Sequence, residues 1–130
     1  MGSKSASGSV GALPESDRVV IVSENSRNAE MMGESLAGVS VDTVTPGEAR
    51  DSIGASTSHV DAVVVDTETV TRGVTRLVRD VRDRGIPVVL LSESASPSIQ
   101  RNAVGVDGMA FAKKPVRSEQ FRGLVTDALA

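Results

Sequence analysis

Four polar segments each close a short apolar run. Ser23-Glu24 follows residues 18–22 (RVVIV), Asp66 follows 61–65 (DAVVV), Ser92 follows 86–91 (IPVVLL), and Lys113-Lys114-Pro115 ends 109–112 (MAFA). A carboxylate such as Asp66 can attack a phosphoryl group and form an acyl phosphate. Glu24 and Asp66 are oxygen ligands of the kind that Mg²⁺ takes, a cation that keeps several waters and bridges to phosphate. A hydroxyl at Ser92 and an ammonium at Lys114 offset charge on transferred phosphoryl oxygens. Each residue alone has an ordinary explanation: Asp commonly ends a strand and caps the next loop, and paired lysines are common on surfaces. The four in company are what point to phosphoryl chemistry.

These residues need a scaffold that brings them together. Residues 1–17 (MGSKSASGSVGALPESD) are rich in Gly, Ser and Ala and offer little to bury, so they read as a flexible tail ahead of one domain over 18–130. From Arg18 the pattern alternates. The run 18–22 is a strand, and 27–38 places Ala29, Met32, Leu36 and Ala37 at helical spacing. Residues 40–44 form a second strand. Thr45-Pro46-Gly47-Glu48 then has the form of a capping box with proline at the first helical position, opening a short helix to about Gly54.

A third strand spans 61–66, and 70–84 carries Val70, Val74, Leu77, Val78 and Val81 on one helical face that ends at Gly85. Residues 86–91 are a fourth strand, Ser96-Pro97 opens a helix closing near Gly105, and 109–113 is a fifth strand. Residues 118–129 form a terminal helix with Phe121, Leu124, Val125 and Ala128 inward. Strands apolar on both faces belong in a parallel sheet covered by helices on each side. The prediction is therefore an α/β, flavodoxin-like (βα)5 doubly wound sandwich with strand order 2-1-3-4-5. In such sheets sites form beyond the carboxyl ends of the strands, where the four polar segments fall.

The segments VVIVSEN, DAVVVDTE, PVVLLSES and AKKP, in that order, make residues 18–130 resemble a CheY-like response-regulator receiver domain of two-component signalling. The resemblance implies that Asp66 is the phosphoacceptor, Glu24 a direct Mg²⁺ ligand and Ser92 the switch hydroxyl. It also implies that Lys114 contacts the phosphate and that the Glu68 backbone carbonyl completes the metal shell. The implied partners are a sensor histidine kinase or phosphotransfer protein, and a downstream protein met through the face of the fourth helix, fifth strand and fifth helix. Mg²⁺-dependent labelling that Asp66→Asn abolishes is expected.

Two departures from the family pattern stand out. Ser23-Glu24 replaces the usual acidic pair, and the stretch between Gly105 and the Lys-Pro pair is longer than usual. The second leaves Lys113 as the alternative lysine, and either Phe111 or Met109 as the switch aromatic. The family's Lys-Pro bond is commonly cis. The first departure motivates the competing expectation, a pseudo-receiver that docks proteins without phosphate chemistry.

Composition narrows the remaining classes. A net charge of −3 argues against a nucleic-acid surface. No apolar run is long enough to span a bilayer, and the absence of Cys removes disulfides and thiolate metal sites. The expectation is a cytoplasmic protein, either stand-alone or one domain of a longer chain, with no enzymatic turnover beyond self-catalysed phosphotransfer and autodephosphorylation. A nucleotide or flavin enzyme is disfavoured: the first strand–helix turn, SENSRN, lacks glycine, and with two Phe and no Trp or Tyr stacking partners are scarce. Arg72, Arg76 and Arg79 interleave with Asp80 and Asp83 at four-residue spacing, the ordinary pattern of a solvated helix face. His59 stands alone before the third strand as a surface residue. Met31 and Met32 read as packing residues.

Overall fold

The computed structural model describes residues 17–36, 38–55, 60–94 and 109–129. Five strands, β1 (Arg18–Ser23), β2 (Ser40–Val44), β3 (Ala62–Thr69), β4 (Val88–Ser94) and β5 (Met109–Lys113), form one sheet in the order β2-β1-β3-β4-β5. Every pairing is parallel. The described helices are α1 (Ser26–Glu34), α2 (Pro46–Ala55), α3 (Arg72–Asp83) and α4 (Ser118–Leu129). The predicted topology is thus the observed one. The helix expected from Ser96 to near Gly105, His59 and residues 1–16 lie outside the described residues.

The β-branched runs explain the sheet. Alternate side chains of a strand point to opposite faces, so each central strand feeds two cores. Val20, Val22, Val63, Val65, Val88 and Leu90 pack with α2 and α3 in one cluster. Val19, Ile21, Ala62, Val64, Val89 and Leu91 pack with α1 and α4 in the other. The edge strand β2 has no buried residue.

Local signals set the helix ends. Asn25 caps α1, its side chain accepting from the Asn28 N–H at 3.0 Å. At α2 the Glu48 carboxylate accepts from the Thr45 N–H at 3.1 Å and from its hydroxyl at 2.9 Å, the reciprocal half of a capping box. Helix α3 ends in a Schellman turn: Gly85 donates to the Arg82 carbonyl, Ile86 donates to that of Val81, and Gly85 adopts φ +79. Ile86 and Val81 both join the first core cluster, the apolar contact that accompanies this motif.

Element bounds shift by one or more residues in several places, and three of the shifts have a visible local cause. Helix α1 stops at Glu34 rather than near Gly38, because the Ser35 hydroxyl and N–H both turn back to the Met32 carbonyl. Strands β3 and β4 run past their apolar segments to Thr69 and Ser94. Their pairing continues through Thr67–Ser92 and Thr69–Ser94, so backbone hydrogen bonds carry a ladder that the hydrophobic pattern does not mark.

Candidate functional site

Three buried polar residues stand out among the described residues: Ser23 and Asp66, each 4% exposed, and Ser92 at 0%. All three lie toward the carboxyl ends of the central strands β1, β3 and β4. Ser23 is the register partner of Asp66 across the β1–β3 ladder. It has the same strand phase as Val19 and Ile21, and Asp66 the phase of Ala62 and Val64. Both therefore fall on the face of the second core cluster, under α1 and α4.

Lys114, one residue beyond β5, has the phase of Ala112 on that face. Its Nζ lies 2.7 Å from Asp66 Oδ1, an ion pair whose side chains are 17% and 3% exposed. Burial of that order makes the pair costly to break from either side. Of the two candidate lysines, Lys114 thus meets Asp66, whereas Lys113 is exposed. The Lys114–Pro115 peptide is cis. Phe111 and Met109 both pack against the first cluster, away from the Asp66 face.

The other carboxylate oxygen is also engaged. The Ser23 hydroxyl lies 2.9 Å from Asp66 Oδ2, and the Asn28 side-chain amide donates to the same oxygen at 3.3 Å. Ser23 Oγ in turn accepts from the Asn25 N–H at 3.0 Å, which fixes the hydroxyl against the start of α1. The reading from sequence missed Asn28. Its one signal was position: one helical turn before Met32, on the side of α1 that packs on the sheet.

Ser92 and Glu68 form a second, separate contact. Ser92 has the phase of Val88 and Leu90, and its hydroxyl donates to the Glu68 carbonyl at 3.1 Å. The backbone nonetheless links it to the site, since the Lys114 N–H donates to the Ser92 carbonyl at 2.9 Å. Glu24 is exposed beyond β1. It and Asp66 border two open cavities of about 630 and about 570 Å³. The first runs between α1 and α4 past Met31, Met32 and Phe121. Met32 packs against the second cluster, while Met31 is 63% exposed. Arg72, Arg76 and Arg79 are exposed with Asp80 and Asp83, as a solvated face requires.

The implied Mg²⁺ set fits poorly. Mg²⁺ demands lone pairs in near-octahedral array. Here Asp66 Oδ2 receives two donors, the Ser23 hydroxyl and the Asn28 amide, and Oδ1 receives the Lys114 ammonium. Among the described residues no three His, Cys, Asp or Glu side chains group as a metal site.

No protein-family model and no curated protein sequence matches the chain. Solved structures do match. The chemotaxis response regulator CheY4 of Vibrio cholerae superposes with a TM-score of 0.68 at 20% identity, over 88% of this chain and 99% of that one. A CheY-like receiver domain protein of Methanospirillum hungatei gives 0.72 at 17%, over 88% and 94%. A receiver domain of Clostridium thermocellum gives 0.73 at 15%, over 87% and 94%. The fold is that of the CheY-like receiver domains. At these identities the likeness is one of architecture. No helix among the described residues is long and apolar enough to cross a membrane.

Proposed function

We propose that the chain is a receiver-type signalling module in which Asp66 accepts a phosphoryl group from a histidine kinase or phosphotransfer protein. The observation that carries this reading is the Asp66–Lys114 pair at the carboxyl edge of the central strands. In the transfer an Asp66 oxygen bonds to phosphorus while the donor's bond to phosphorus breaks and its leaving group keeps the electron pair. Lys114 offsets the charge gained on the phosphoryl oxygens. The Ser92 hydroxyl, bonded to the Glu68 carbonyl on the other strand phase, would have to leave that carbonyl to act as a further donor. No step here runs through a metal. Output would pass to a protein partner through the surface that includes β5 and α4, in the cytoplasm, where such kinases present their phosphoryl groups.

Ser23 and Asn28 favour a second reading, a docking module that keeps the fold without phosphoryl transfer. Two donors on Oδ2 hold the carboxylate as a structural group. Intact mass after incubation with acetyl phosphate separates the two. A gain of one phosphoryl group, absent in Asp66→Asn, supports the phosphoacceptor. An unlabelled but folded protein, beside a receiver that labels in parallel, supports the docking module.

A further inference from the structure

We propose that Ser23 and Asn28 take the place of a divalent cation at Asp66, so that the centre is assembled by donors of its own chain. This goes beyond either reading above and holds whether or not Asp66 is phosphorylated. A buried carboxylate needs its charge compensated and its lone pairs filled. Lys114 compensates the charge on Oδ1, and Ser23 and Asn28 fill Oδ2 with an O–H and an N–H.

A cation placed on Oδ2 would displace two hydrogen bonds and set its own charge near the Lys114 ammonium. The other carboxylates lining the cavity beside Asp66, Glu24, Glu68 and Glu93, are all exposed, and among the described residues no three such side chains group as a metal site. Ser23 is itself anchored, because it receives the N–H of Asn25, the residue that caps α1. The substitution is thus tied into the start of the helix that carries Asn28. Ser23 and Asn28 are positioning residues, and their effect is on what Asp66 can bind.

Magnesium binding to the whole chain, measured by titration calorimetry and by the shift of the thermal midpoint with MgCl2, tests this without any phosphoryl donor. The wild-type protein should show no saturable heat at millimolar Mg²⁺ and no shift. Ser23→Asp and Asn28→Asp each replace a donor at Oδ2 with a carboxylate. Each should gain a Mg²⁺ site tighter than any in the wild type by roughly tenfold or more, as affinity follows ligand charge. Asn28 is only partly buried and its change nearly isosteric, so that variant carries the test if Ser23→Asp does not fold. Saturable wild-type binding lost in Asp66→Asn would overturn the proposal. So would two folded aspartate variants that bind no better than wild type. Because no labelling is involved, loss of the phosphoacceptor reading would leave these outcomes unchanged.

Discussion

Ser23 and Asp66 face each other across the β1–β3 ladder, and the Ser23 hydroxyl reaches Asp66 Oδ2 at 2.9 Å. A residue that removes a carboxylate from the pattern thereby donates a hydrogen bond to the carboxylate that stays. Ser23→Ala should destabilise the fold by about 1–2 kcal/mol, because a buried charged acceptor loses one donor and the Asn25 N–H loses its acceptor. Urea denaturation followed by far-UV circular dichroism measures this.

Lys114→Met should cost more, about 3 kcal/mol, because it strands the Asp66 carboxylate beneath the surface. Asp66→Asn should cost less, since the amide oxygen still accepts from Lys114 or Ser23. The same denaturation series ranks the two variants, and a Lys114→Met cost below about 0.5 kcal/mol would show that the ion pair contributes little.

Glu48 sets a stability change in acid. Its carboxyl is held below its ordinary value of 4.5, first by the Thr45 N–H and second by the Thr45 hydroxyl. A group depressed in the folded state stabilises it above the unfolded value and loses that contribution as pH falls through the folded value. Glu48→Gln should therefore lower stability above pH 4.5, where the ionised carboxylate contributes, and flatten the decline below it. Thermal midpoints of both proteins across that window provide the check.

Gly85→Ala should destabilise by about 1 kcal/mol through its left-handed backbone alone, since a Cβ there would meet nothing within 4 Å. Gly47 sits in equally open space with no such backbone, so Gly47→Ala is the matched control and should be neutral or slightly stabilising.

The strands and their order were legible because β-branched runs alternating with amphipathic helices leave few topologies. β5 and α4 fall at their expected bounds for the same reason: Met109–Lys113 and Ser118–Leu129 change pattern abruptly at both ends. The polar extensions of β3 and β4 were not legible, since Thr67 and Ser92 continue a ladder through backbone bonds that carry no side-chain signature. At the site, the order of polar residues along the chain led to Asp66 and Lys114. Which sheet face each residue takes divides them further. Ser23, Asp66 and Lys114 share one phase and meet, whereas Ser92 has the other and meets Glu68. Asn28 reaches Asp66 from a neighbouring helix, a contact that exists only once α1 has docked.

Two phenylalanines are the whole aromatic content of this chain, and each packs on a different side of the sheet. Phe111 lies against the α2–α3 cluster, and Phe121 lies within the α1–α4 cluster beside the Asp66 cavity. Each hydrophobic half thus contains its own ring-current source, and methyl resonances displaced by Phe121 sense the half that holds Asp66. With no tryptophan or tyrosine to blend the signals, magnetic resonance can tell which half responds when the charge at Asp66 changes.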